Sequence, residues 1–183
     1  SDVCSSDLRW SYACGKAVDE SLAQAYWQQR QLPVVVVRCF NTCGPRQTGA
    51  YGMVIPNMIA RALRDEPILV FGDGKHTRDF TYIDNVVRAN RQACHAPADS
   101  CGKAMNVACR KKYSLLELLE TLESITGISP DPVFEPPAPG DVRDSMADIG
   151  LAEKHLSFEV SVGFTEGLEK TVRWYEEVLK KAF

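Results

Sequence analysis

The sequence predicts an α/β fold with a parallel sheet, and three observations carry that prediction. Residues 11–31 form a proline-free helical stretch, and four consecutive valines stand at 34–37. Residues 34–40 are too apolar to alternate, which suits a strand buried on both faces of a parallel sheet. A helix leading into such a strand is the end of a β-α-β unit. Short extended and helical stretches then succeed one another along the rest of the chain, with no internal repeat and no low-complexity tract.

In the first helix, Ala17, Leu22, Ala25 and Tyr26 form a candidate apolar stripe, and Gln31-Leu32-Pro33 ends it. Residues 34–40 are the buried strand. Residues 41–52, rich in Gly, Pro, Asn and Thr, read as loop. A helix is expected over 54–63, with Pro56 tolerated in its first turn. Next come a strand at 68–71, a turn at Gly72-Asp73-Gly74 and an extended stretch at 80–83. Asp84 caps a helix from 85 to 94. A strand at 104–108 precedes the best-marked helix, 114–126: Ser114 caps it, Glu117 closes a capping box, and Gly127 stops it. Five prolines keep residues 129–140 extended or looped. A short helix is expected after Asp148, and a last one over 164–181 with Thr165 as its cap.

The 183 residues suffice for one domain with a sizeable core. Apolar content of 45% and charged content of 25% are those of an ordinary soluble globular protein. A net charge of −3 gives no bulk attraction to nucleic acid or anionic membrane, and no apolar run reaches a membrane span. Neither partner is therefore expected. Seven cysteines, an odd number without metal-type spacing, read as reduced thiols serving as small apolar residues, which points to the cytoplasm. His76, His95 and His155 lie far apart, and no metal site is expected.

Chemistry first suggests itself in Ser11-Tyr12-Ala13-Cys14-Gly15-Lys16. Tyr12 and Lys16 share one face of a helix. A phenol with a pKa of about 10 is a poor base at neutral pH, and a nearby ammonium favours the phenolate. Tyr12 is thus a candidate to exchange a proton with a substrate hydroxyl, with Lys16 tuning it. Many helices carry this spacing by chance. The pair gains weight from the segments C-terminal to it: the valine strand, then Arg38-Cys39-Phe40-Asn41-Thr42-Cys43-Gly44-Pro45-Arg46-Gln47. Tyr12 near the helix start and Asn41 just past the strand would face the crevice where open α/β sheets bind ligands.

With both pieces in this order, the chain from about Trp10 to about Tyr175 resembles the extended short-chain dehydrogenase/reductase family, and within it the NAD-dependent sugar-nucleotide epimerases, dehydratases and decarboxylases. The resemblance implies the C-terminal part of a Rossmann-type doubly wound sheet plus a small mixed α/β substrate-binding region. It implies NAD as cofactor, a UDP-sugar as substrate, and Tyr12 and Lys16 as catalytic and NAD-contacting residues. Cys39 falls beside the nicotinamide, where relatives often carry an aromatic or larger apolar residue. Asn41 matches a position that hydrogen-bonds the sugar nucleotide; a loop asparagine bonding its own backbone is the alternative. Val54, within 51–56, and Phe71 match segments around the uracil base, with ordinary core as the alternative. Arg78 in Thr77-Arg78-Asp79-Phe80 and Arg143 in Pro139-Gly140-Asp141-Val142-Arg143 match segments that supply arginines to the substrate pyrophosphate, a task that suits the guanidinium fork. A surface ion pair is the alternative for each. Arg46 and Gln47 are read as structural, and Cys14 is not read as a nucleophile. A homodimer with the Tyr12 helix in its interface is also implied.

Residues 1–8 resemble a translated sequencing-library adapter and are expected to be a non-native leader, a natural polar leader being the alternative. Residues 9–47 are expected to end the NAD-binding region. Residues 48–183 are expected to be mainly the substrate-binding domain, with interleaved returns to the NAD-binding one. The family's Gly-x-x-Gly-x-x-Gly turn, whose N–H groups meet a pyrophosphate, and its Ser or Thr upstream of the tyrosine are not found, so the C-terminal part of a longer enzyme is expected. The expected reaction is epimerisation of a UDP-sugar at C4 through a 4-keto intermediate. Gly140-Asp141-Val142-Arg143 and Tyr82-Ile83-Asp84-Asn85, which look most like hexose and N-acetylhexosamine 4-epimerases, favour it. UDP-glucuronate decarboxylase and nucleotide-sugar 4,6-dehydratase stay open. So does a chain that alone binds sugar nucleotide without catalysis, with apolar surface exposed on the Tyr12 helix and the 34–40 strand.

Overall fold

The computed structural model describes residues 3–49, 53–137 and 142–181. Helix α1 (Val3–Arg30) leads into strand β1 (Val36–Cys39), and β2 (Thr42–Cys43) comes immediately after. Helix α2 (Val54–Ala62) precedes β3 (Ile68–Phe71), β4 (Thr77–Arg78) and β5 (Thr81–Tyr82). Then come α3 (Ile83–Cys94), β6 (Ala104–Val107), β7 (Tyr113–Ser114) and α4 (Leu115–Thr126). β8 (Pro132–Glu135), α5 (Gly150–Leu156) and α6 (Phe164–Lys181) complete the order. The strands pair two by two: β1 with β6, β2 with β5 and β3 with β8 in parallel, and β4 with β7 antiparallel. The parallel α/β architecture is the one the valine run predicts.

The helices show why the local signals succeed. In α4 the Ser114 hydroxyl accepts the Glu117 N–H at 3.1 Å, and the Glu117 carboxylate accepts the Ser114 N–H at 2.7 Å. Two otherwise orphaned donors at the helix start are thereby satisfied. Gly127 then takes a φ of 70°, the left-handed conformation that closes the helix. Pro56 does sit in the first turn of α2.

Five expectations need correction. α1 begins at Val3, so Tyr12 lies well inside the helix rather than near its start. Its supposed apolar stripe is largely uncovered: Ala17, Leu22 and Tyr26 are exposed, and Ala25 is partly covered along with Glu20, Ala23, Gln24 and Trp27. β1 is only half-buried, with Arg38 and Cys39 exposed, because β6 is its one strand neighbour among the described residues. Asp84 is not an N-cap: β5 runs straight into α3, Tyr82 holds the cap position, and Asp84 lies in the first turn, where a carboxylate suits the helix dipole. Thr165 also lies inside its helix, which starts at Phe164. The short strands β2, β4 and β7 carry no sequence signal, since two residues are too few to show a period.

Two groups of buried residues organise the chain. One joins Ile55, Met58 and Ile59 of α2, Ile68 and Val70 of β3, Leu118, Leu119 and Leu122 of α4, and Leu168 and Val172 of α6. The other joins Met105 and Val107 of β6 to Val86 and Ala89 of α3, Ala152 and Leu156 of α5, and Phe158, with Val35 and Val37 packed against it. Between them runs the segment from β4 to α3. Asn85, fully buried, accepts the N–H groups of Ser161 and Val162 at 2.9 and 3.1 Å and donates to the Val162 carbonyl at 2.8 Å. It is the peg on which the loop before α6 hangs. Cys43 and Cys109 are buried thiols as expected, whereas the free thiols of Cys14, Cys39 and Cys94 are exposed.

Candidate active site

Three places collect the residues that the sequence singles out. The first is a crevice of about 510 Å³ between α1 and β1, lined by Tyr12, Lys16, Asp19, Glu20, Val36, Val37, Arg38 and Cys39. The helix brings Tyr12 and Lys16 together, with the Lys16 ammonium 5.8 Å from the tyrosine ring centroid. Lys16 Nζ also donates to Asp19 Oδ2 at 3.1 Å. That hydrogen bond, helped by the charge of Asp19, raises the lysine pKa and keeps it an ammonium. Arg38 reaches from β1 to Glu20 of α1 through two parallel contacts, Nε to Oε1 at 2.6 Å and Nη2 to Oε2 at 2.5 Å. This fork fixes the strand against the helix that carries Tyr12. Cys39 completes the wall; partial burial pushes its thiol up, so at neutral pH it is a small neutral surface, not a nucleophile. Tyr12 is 70% exposed, which leaves its hydroxyl open to a ligand.

Asn41 does not line this crevice, contrary to expectation. It takes a φ of 33°, in the left-handed region that asparagine tolerates, and turns the chain from β1 to β2. Its side chain bonds no backbone of its own: Nδ2 donates to the Asp79 carbonyl, 3.0 Å away. This links the end of β1 to the second place, around β4. There the Arg78 guanidinium donates to the Thr77 carbonyl at 2.8 Å. The Thr77 N–H donates to the Arg143 carbonyl at 2.8 Å, and the Ser145 N–H to the Thr77 carbonyl at 3.1 Å. Residues 143–145 therefore lie alongside β4, which brings the segments that carry the two arginines, far apart in sequence, side by side. Arg143 also pairs with Asp73 at 3.5 Å, as the ion-pair alternative foresees. Lys112 adds a third cation beside Asp144, at 3.6 Å. Gly140 and Asp141 lie outside the described residues.

The third place is a cleft of about 250 Å³ lined by Val54, Asn57, Met58, Arg61, Ile68, Leu69, Phe71 and Leu115. Val54 and Phe71 are exposed here, so ordinary core does not explain them. β7 pairs with β4, Arg78 opposite Tyr113, and runs directly into Leu115 at the start of α4. The cleft is thereby joined to the arginine pair. Tyr51 and Gly52 lie outside the described residues. Gln47 is held within the fold: it donates to the Thr42 carbonyl at 2.8 Å, and Tyr175 donates to the Gln47 carbonyl.

Sequence reasoning overlooks Asp19, the Glu20–Arg38 fork, Asp79, Lys112 and Arg61. Asp79 carries no alternation signal, since Phe80, Thr81 and Tyr82 after it are buried as well. The Glu20–Arg38 fork and Lys112 depend on contacts between distant segments, whereas Asp19 pairs with Lys16 three residues away on one helix.

The chain is similar to proteins of one kind. UDP-N-acetyl-alpha-D-glucosaminuronate decarboxylase of Bacillus cytotoxicus is 34% identical over 180 residues, covering 94% of this chain and 55% of that protein. The structure of UDP-glucose 4-epimerase with UDP-glucose from Thermotoga maritima superposes with a TM-score of 0.86 at 34% identity, covering 92% of this chain and 54% of that one. UDP-glucuronic acid 4-epimerase from Bacillus cereus, in complex with UDP-glucuronic acid and NAD, gives a TM-score of 0.81 at 32% identity, covering 87% and 50%. The chain thus spans about half the length of the relatives it matches. With a family model matching residues 2–108 and a fold shared with these structures, the chain belongs to the NAD dependent epimerase/dehydratase family.

Proposed function

We propose that the enzyme containing this chain oxidises a UDP-sugar at C4 with NAD, and that the product is the C4 epimer. The observation that carries this reading is the crevice that unites Tyr12, Lys16 and Cys39. Its apolar wall of Val36, Val37 and Cys39 and its polar edge of Tyr12 and Lys16 suit the nicotinamide end of the cofactor. When bound, NAD supplies the hydride acceptor and donor at C4. Tyr12 takes the proton of the C4 hydroxyl and later returns it. Lys16, held as an ammonium, offers donors at the crevice edge. Arg78 and Arg143 hold the two phosphates, Asn41 stands between them and the crevice, and Val54 and Phe71 flank the base. The group built on β1, β6, α3 and α5 serves the cofactor side; the group built on α2, β3, α4 and α6 serves the nucleotide.

UDP-glucuronate decarboxylation is the second reading, favoured by the similarity to UDP-glucuronic acid decarboxylase 1 of Arabidopsis thaliana, 32% identical over 164 residues. Both reactions begin with the same oxidation at C4 and demand the same work from Tyr12. Incubating the enzyme separately with UDP-glucose, UDP-N-acetylglucosamine and UDP-glucuronate, then analysing the products, separates them. Inverted C4 with the carbon count unchanged supports epimerisation. A pentose product with release of carbon dioxide supports decarboxylation. Return of all three substrates with neither C4 inverted nor carbon dioxide released contradicts both. The expected homodimer and cytoplasmic location belong to the same proposal; sedimentation as a monomer at micromolar concentration would remove the dimer.

A further inference from the structure

Asp79 is the one carboxylate in the interior of the described residues, at 0% exposure. Its oxygens are shared among separate segments. Oδ1 accepts the Cys109 N–H at 2.9 Å; Oδ2 accepts the Arg110 N–H at 3.0 Å and the Ala147 N–H at 3.3 Å. Its own carbonyl accepts the Asn41 amide at 3.0 Å. Burying a carboxylate is an unfavourable way to hold a fold together, and apolar replacements of buried charges are often neutral or stabilising. What the carboxylate supplies is a fixed set of acceptor directions. The segments it fixes are those that carry the cations: Arg78 directly precedes it, Arg110 opens the basic turn that ends in Lys112, and Ala147 closes the segment that begins at Arg143. That segment is tied a second time through the Arg143 carbonyl and Thr77 N–H.

We infer that Asp79 is a positioning residue for a nucleoside diphosphate: its carboxylate clamps the 109–110 turn and the 143–147 segment about β4, so that Arg78 and Arg143 meet the two phosphates as one preset group. The inference rests on the sugar-nucleotide reading. It goes beyond it in making the phosphate contact depend on a buried acid that touches no ligand. Preset donors lose less freedom on binding than donors that the ligand must gather.

Calorimetric titration of the enzyme with UDP and with uridine, for the wild type and Asp79→Asn, tests this. Uridine lacks the phosphates and reports on the base cleft alone. The amide variant keeps the size and one acceptor but presents N–H groups to at least one N–H. UDP affinity is expected to fall about tenfold and uridine affinity to stay within about twofold, with a cooperative melt retained. Equal losses for both ligands, the mark of a merely structural role, or an unchanged UDP affinity would overturn the inference. A wild type that binds no UDP overturns the sugar-nucleotide reading itself, and the inference with it. Should Asp79→Asn not fold, amide exchange on the wild type decides. UDP slows exchange at Cys109, Arg110 and Ala147 while uridine does not; equal slowing by the two ligands overturns the clamp.

Discussion

Arg78 and Arg143 show what single residues contribute and how far the sequence reveals it. Each is proposed as a phosphate ligand from the strings around it; the pairing of residues 143–145 with β4 is encoded by no period in the sequence. Replacing either by Ala is expected to weaken UDP binding by about 1.5–3 kcal/mol, the range of charge-assisted hydrogen bonds, with a smaller effect on uridine. Calorimetry reads this directly. Cys39 is legible as a member of the site by position. The bond that Asn41 makes, to a carbonyl across the sheet, is not, because it depends on a left-handed turn that Asn41 itself adopts.

Elements with complete local signals are predicted to the residue, and α4 is the example. Its capping box and its left-handed glycine are both chemical statements that need no tertiary context. Ser114→Ala removes one half of the box and is expected to cost about 1 kcal/mol, lowering the melting temperature by about 2–4 °C in a chain of this size. The same box makes the fold sensitive to acid. The Ser114 N–H and hydroxyl hold Glu117 below its ordinary pKa, as Arg38 holds Glu20. Asp144 is held down first by the Thr77 hydroxyl, and Asp73 first by the Lys75 N–H. A carboxylate with a lowered folded pKa adds stability that is complete above its unfolded pKa and is lost as pH falls through the folded one. Thermal melts are therefore expected to weaken as pH drops below about 4. Asp79, raised chiefly by burial, opposes that trend. Glu117→Gln should flatten the acid limb, and an unchanged limb would remove Glu117 from the explanation. α1 is the opposite case: its apolar residues are plain in the sequence, but Leu22 is 56% exposed, so composition alone misplaces the buried face.

At the scale of the whole molecule, the sequence shows an α/β chain and its order of elements, while the division into two buried groups emerges only from packing. β1 and β6 are far apart in sequence yet pair residue for residue, Val36 opposite Ala104 and Cys39 opposite Val107. This pairing sets the crevice wall opposite Tyr12, whereas α2, β3 and α4 build the cleft lined by Val54 and Phe71. Removing buried volume from the α2, β3 and α4 group is expected to unfold the nucleotide side first. Leu122→Ala, at a fully buried site, should cost about 2–5 kcal/mol by denaturant unfolding. The central claim is that Tyr12 performs the proton transfer at C4 without holding the substrate. Measuring turnover and UDP-sugar affinity together in the NAD-loaded Tyr12→Phe enzyme tests it most directly. The expected result is turnover reduced by about 10²–10⁴-fold with affinity within about twofold of the wild type. Turnover at the wild-type rate would contradict the claim, and parallel loss of affinity would make Tyr12 a binding residue instead.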